Sequence, residues 1–181
     1  MATAAHRADQ HYYGLAEALV VNNKDPLGEG RVKLTYPWLD QSMETEWCRV
    51  CQLYAGNGYG SFFVPEEKDE VLVAFVHGDL REPIVLGGLY NGKDKPAGQR
   101  SSSQDRKVIR TKAGHTLTFD DTNGSEKITI FDKSEKNSIV IDTTAGSITI
   151  TAKDKLTLTA NSIEIKADAD VTVSGKQINL N

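Results

Sequence analysis

Between Leu15 and Tyr90 short apolar runs alternate with turn residues. Leu15–Val21 is apolar and stops at Asn22-Asn23-Lys24-Asp25-Pro26, a dense turn cluster. Gly28-Glu29-Gly30 leads into 31–36, where polar and apolar residues alternate with the period of a half-buried strand, and Pro37 closes it. Further strands are predicted at 47–51, 70–76 and 83–90, with Phe62-Phe63-Val64-Pro65 before the second and a turn at Gly78-Asp79. Residues 55–60 read as a glycine-rich loop. No segment has a 3.6-residue period. Five strands in roughly 75 residues, punctuated by glycine, predict a small closed barrel.

Beyond Val108 the pattern changes. Apolar residues come as i, i+2 pairs: Leu117/Phe119, Ile128/Ile130, Ile139/Ile141, Ile148/Ile150, Leu156/Leu158, Ile163/Ile165, Val171/Val173 and Ile178/Leu180. The first intervals are roughly eleven residues and the later ones roughly seven to nine, which is an internal repeat. Residues i and i+2 of a strand face one side, so each segment offers two apolar side chains on one face and Thr, Ser, Lys or Asp on the other. Such a strand builds no core alone. Stacked repeats cover their apolar faces only around an axis, and two arrangements do this: a single-chain β-solenoid and an intertwined prism of three chains. Periodicity alone does not separate them. Gly114, Gly124, Gly146 and Gly175 fall near the corners, and the polar, serine-bearing stretch 93–106 reads as a linker.

Composition sharpens this picture in two ways. Aromatic residues make up only 7% of the chain, and none follows Phe131. The back half must therefore bury itself without rings, which favours a thin three-chain prism whose axis has little room for them. The net charge of −4 argues against general nucleic-acid binding, which needs a basic face. No run approaches the length of a membrane helix, and Met1–Gln10 has no signal-peptide pattern. A cytoplasmic protein is expected, unless it leaves by a signal-free route. Residues 1–13 read as an arm, with Tyr12 and Tyr13 as candidate anchors onto a neighbour.

Candidate chemistry is sparse. Cys48 and Cys51 have C-x-x-C spacing, but neither a helix start nor a second ligand pair accompanies them, so packed strand cysteines are expected. Gly56, Gly58 and Gly60 lack the Gly-Lys-Ser/Thr of a phosphate loop. His77 and His115 sit beside glycine turns and, with His6 and His11, form no nucleophile or metal constellation. Asp120-Asp121 lacks the spaced oxygen ligands of a calcium loop and reads as a solvated turn.

The barrel region resembles the baseplate assembly protein V family of contractile phages and the C-terminal half of the VgrG spikes of type VI secretion. The resemblance rests on Asn23-Lys24-Asp25-Pro26, Gly30-Arg31-Val32-Lys33-Leu34, Pro37-Trp38 and Trp47–Val50. It continues through Gly58-Tyr59-Gly60-Ser61-Phe62-Phe63-Val64-Pro65-Glu66, Asp69-Glu70-Val71-Leu72-Val73-Ala74-Phe75 and His77-Gly78-Asp79. The last blocks are Pro83-Ile84-Val85-Leu86-Gly87-Gly88-Leu89-Tyr90-Asn91-Gly92 and, opening the tail, Ile109–Asp121. It implies an all-β chain: a five-stranded oligonucleotide/oligosaccharide-binding (OB) barrel at 14–95, after the arm at 1–13, then a linker at 96–108. A trimeric triple-stranded β-helix, or β-prism, follows at 109–181. The implied role is mechanical: a homotrimeric, non-enzymatic spike at the front of a contractile tube, without cofactor.

In that reading the trimer core is Leu117, Phe119, Ile128, Ile130, Ile139, Ile141, Ile148, Ile150, Leu156, Leu158, Ile163, Ile165, Val171 and Val173. The resemblance also implies hub, baseplate and tube proteins at the barrel end and a PAAR-type tip protein at the other, bound through Lys176, Gln177, Ile178, Asn179, Leu180 and Asn181. Effector cargo is a further implied partner, no specific nucleic acid is, and a target membrane is touched only mechanically. The chain ends without the His-x-His of some phage spikes, so no tip metal is expected. Members often carry Gly where this chain has Lys68. The large N-terminal hub of the VgrG class and the lysozyme-like insert of some phage spikes have no counterpart here, so a separate hub protein, or a fused copy elsewhere, is expected to join the spike to the tube. The alternatives are an OB-type oligonucleotide or glycan binder with a solenoid tail, and a trimeric polysaccharide-degrading tail fibre with paired carboxylates.

Overall fold

The computed structural model describes residues 11–98 and 105–179, apart from the side chains of Asp40 and Gln41. Most of the arm, the serine run of the linker, and Leu180 and Asn181 of the expected tip surface lie outside the described residues. The chain divides into two compact units, Met1–Pro96 and Ala97–Asn181.

The first unit is all strand and turn. Its strands are β1 (Leu15–Asn22), β2 (Lys33–Tyr36), β3 (Asp40–Glu44), β4 (Arg49–Val50), β5 (Ala55–Gly56), β6 (Tyr59–Gly60), β7 (Glu70–Phe75) and β8 (Pro83–Gly88). Six of them form one sheet in the order β3-β2-β1-β7-β8-β4. The sheet curls until its two sides meet. Val32, just before β2, and Cys48, just before β4, exchange backbone hydrogen bonds of 3.0 and 2.8 Å. Period-2 alternation fills the inside of the curl: Ala16, Ala18 and Val20 from β1, and Val71, Val73 and Phe75 from β7. Leu34, Val32, Tyr36, Val85 and Cys48 complete the core.

Several local readings change. β3 is too polar to register as an apolar run; it forms because Thr35 and Glu44 pair across the turn after β2. The glycine loop is a tight hairpin, with β5 and β6 joined by Asn57-Gly58. At Gly60 a side chain would stand 2.4 Å from the Tyr54 carbonyl, so only glycine fits. Phe62–Pro65 forms no strand. Cys48 is buried and Cys51 is exposed, because positions three apart on a strand face opposite sides. Tyr12 anchors onto its own barrel: its ring stacks on Trp38 at 5.4 Å and meets Phe75 edge-on, and its N–H donates to the Gly78 carbonyl.

The second unit holds β9 (Arg106–Arg110), β10 (Thr116–Asp120), β11 (Lys127–Phe131), β12 (Ser138–Asp142) and β13 (Ser147–Thr151). They form an antiparallel meander in the order β13-β12-β11-β10-β9, without a register slip. β9 begins inside the stretch read as linker. Asp120 is no solvated turn: it is buried at the end of β10 and accepts a 2.7 Å bond from Arg106 Nε. Past Thr151 no strand occurs among the described residues, although Leu156/Leu158, Ile163/Ile165 and Val171/Val173 carry the same pattern. A strand needs a partner for its backbone groups, and these segments take none within the chain.

Candidate functional site

The exact register of the meander sorts its side chains. Ile109, Leu117, Ile130, Ile139 and Ile150 stand opposite one another across five strands. Beside them runs a second row, Phe119, Ile128, Ile141 and Ile148. Alternation puts both rows on one face. Apolar residues opposite one another on neighbouring strands are a favourable sheet surface. Yet, apart from the half-buried Leu117, this face lies open, from 36% exposure at Ile128 to 70% at Ile148. The opposite face carries Val108, Thr118, Thr129, Val140 and Thr149, and there Thr129 is 5% exposed. A polar centre buried beside two open isoleucines inverts the order of an ordinary monomeric sheet.

Charges of alternating sign line one end of the strands. Arg106, Asp120, Lys127 and Asp142 stand opposite one another on successive strands, alternating in sign. Hydrogen bonds from Thr122, and then the Arg106 guanidinium, hold the Asp120 carboxyl below its usual range. Lys107 pairs with Asp121 alongside.

The corner between β11 and β12 is also polar. Asp132 accepts 2.8 and 2.9 Å bonds from Asn137 Nδ2 and Ser134 Oγ. Its carboxyl is held at about 2, first by Asn137 and then, against burial, by Ser134. Asn137 Oδ1 in turn accepts the backbone N–H of Lys153 at 2.9 Å. Neither residue stood out in the sequence; the only available sign was the D-x-S-x-x-N spacing of a self-bonded turn.

The expected core residues thus fall into two sets. Leu117 to Ile150 are brought together on one face. Leu156, Leu158, Ile163, Ile165, Val171 and Val173 are exposed and unpaired with any strand. Of the expected tip surface, Ile178 is half exposed and Gln177 Nε2 donates to Asn179 Oδ1 at 3.0 Å.

In the first unit, burial raises the Cys48 thiol, whose sulfur donates to the Glu46 carbonyl. His77 occupies a left-handed position, φ 51°, in the 3-10 turn over Val76–Gly78. A cleft of about 310 Å³ is lined by Glu46, Trp47, Arg49, Arg81 and Glu82 among others. Among the described residues no cluster of His, Cys, Asp or Glu could hold a metal ion.

Comparison with known proteins decides what the curled sheet is. Residues 16–90 match the family model of the type VI secretion system/phage-baseplate injector OB domain. The first unit is an injector OB domain. The chain is 32% identical over 120 residues to the type VI secretion system spike protein VgrG3 of Vibrio cholerae, covering 61% of this chain and 12% of that protein. It is 33% identical over 125 residues to the spike protein VgrG1a of Pseudomonas aeruginosa, covering 61% and 19%. Another relative, 34% identical over 108 residues, is the actin cross-linking toxin VgrG1 of Vibrio cholerae, of which 10% is covered. The chain therefore spans less than a fifth of the length of these curated relatives. Its injector OB domain and these relatives make it a VgrG-like, baseplate-V-like protein.

Proposed function

We propose that this chain is the structural, non-enzymatic central spike of a contractile injection machine. It works as a homotrimer whose tails intertwine into a β-prism. The injector OB domain joins hub and tube proteins, and residues 176–181 of the tail seat a PAAR-type tip protein. The particle is assembled in the cytoplasm and acts on its target mechanically, with effector cargo attached to it or its tip.

One observation carries this reading: two unbroken rows of apolar side chains, all but Leu117 open, line one face of the second unit, and the same pattern continues unpaired to Val173. Three such faces turned towards a common axis cover one another, as the apolar stripe requires. The relatives named as spike proteins support the mechanical role. Sedimentation equilibrium at micromolar concentration tests it. A trimer is expected, and a stable monomer overturns it.

A further inference from the structure

An asparagine that precedes glycine is open to attack by its own main chain. Glycine has no side chain to shield its backbone nitrogen from the asparagine side chain. The chain holds three such steps, Asn57-Gly58, Asn91-Gly92 and Asn123-Gly124. The structure treats them unequally.

Asn91 is locked. Its Nδ2 donates to Glu70 Oε2 at 2.8 Å and to Asp94 Oδ2 at 3.2 Å, and its Oδ1 accepts the N–H groups of Lys93 and Asp94. Turning this amide towards the Gly92 nitrogen breaks those bonds. At Asn123 the obstacle is charge. The Glu126 carboxyl is held below its usual range by its own backbone N–H, by the Thr144 hydroxyl and then by the Gly124 N–H. A carboxylate beside the Gly124 nitrogen opposes the loss of its proton. Asn57 has neither protection. It lies exposed with Gly58 at the tip of the β5–β6 hairpin, and among the described residues nothing bonds its side chain. Gly58, at φ 79°, faces open space. The hairpin forms a two-stranded sheet of its own, apart from the six-stranded one. So short a hairpin is marginally stable, and its tip samples other conformations readily.

We propose that Asn57-Gly58 is a self-modification site, where Asn57 deamidates through a cyclic imide with water as co-reactant while Asn91 and Asn123 keep their amides. A base from solvent takes the proton of the Gly58 nitrogen, which attacks Asn57 Cγ. A new C–N bond closes the ring, the Cγ–Nδ2 bond breaks and Nδ2 leaves as ammonia. Water then opens the ring at either carbonyl, giving aspartate or isoaspartate, and nothing is oxidised or reduced. Either product brings a carboxylate into Val50–Pro65, a stretch without a charged residue, beside the exposed rings of Tyr54 and Tyr59. Isoaspartate also adds a methylene to the main chain of a two-residue loop, which disturbs the pairing of β5 with β6.

Peptide mapping by mass spectrometry tests this on the full chain, kept folded and warm at mildly alkaline pH. The Asn57 peptide should convert at least several-fold faster than the Asn91 and Asn123 peptides and yield both aspartate and isoaspartate. Equal or faster conversion at Asn91 or Asn123, no conversion at Asn57, or aspartate alone overturns the inference. The same incubation in urea separates structure from local sequence. Unfolding removes the lock and the fixed carboxylate, so the three rates should converge, and a lead that Asn57 keeps in urea overturns the structural explanation. In the folded chain Glu126→Gln, which keeps a partner for Thr144 but loses the charge, should speed Asn123 several-fold. An unchanged rate there removes Glu126 as the protecting group.

Discussion

Lys68 sits at φ 81°, in the left-handed region that a side chain resists. The turn leading into β7 enforces this, since Lys68 N–H donates to the Val20 carbonyl at 2.7 Å and Asp69 N–H to that of Glu66. The conformation costs a non-glycine residue about 1–2 kcal/mol, and glycine gives back part of that in unfolded-chain entropy. Lys68→Gly should therefore stabilise the injector OB domain by about 0.5–1 kcal/mol, read from the denaturant midpoint. Asp25 shows the opposite economy. Its carboxylate, 3% exposed, accepts the backbone N–H groups of Leu27, Glu29 and Arg31 and both arms of the Arg31 guanidinium. The Arg31 bonds above all drive its pKa down. A depressed folded pKa means stability that is present above the ordinary carboxylate value of 3.8 and is lost as pH falls below it towards the folded value. Asp25→Asn should lower the melting temperature at pH 7 and flatten its decline between pH 4 and about 2. An unchanged acid profile would show that the turn stands without the charge.

At the scale of elements, the meander is specified twice: by the i, i+2 pattern on one face and by a row of alternating charge at one end. Lys127 stands opposite Asp120 on one side and Asp142 on the other. Lys127→Glu would put three acidic groups in line, so the second unit should melt several degrees lower. Combining it with Asp142→Lys should recover part of the loss, and no recovery would mean that the row does not hold the register. The apolar pairs were legible in the sequence because the strand period is a local property. The partner of each strand was not. An interval of eleven residues leaves room for a five-residue strand and a corner that reverses the chain, so β10 to β12 pair within it. Intervals of seven or eight carry the same pattern, and the chain stops pairing with itself. β3 escaped notice because Asp40–Glu44 is held by Thr35 and Tyr36 rather than by its own pattern. The ion pair between buried Asp120 and exposed Arg106 was hidden too, because it joins residues fourteen apart that only the hairpin brings together.

Across the whole molecule, the two units settle their apolar surface in different ways. The injector OB domain closes its core around Val71, Val73 and Leu34 with side chains from one chain. The second unit leaves Ile139, Ile141, Ile148 and Ile150 open. In the proposed trimer these become the axis, and the absence of rings after Phe131 becomes a demand of its width. Ile148 and Thr149 separate this reading from a merely exposed sheet, because both are exposed neighbours on β13 but point to opposite faces. Ile148→Asp would bring three carboxylates into one layer near the axis. Each loses its water without gaining a partner, at a cost of about 2 kcal/mol or more per chain. Thr149→Asp keeps its charge in solvent. The first variant should melt well below the parent and sediment as smaller species, and the second should stay close to the parent in both. Equal behaviour of the two would mean that the isoleucine face meets water in the working molecule, and the axis would have to be sought elsewhere.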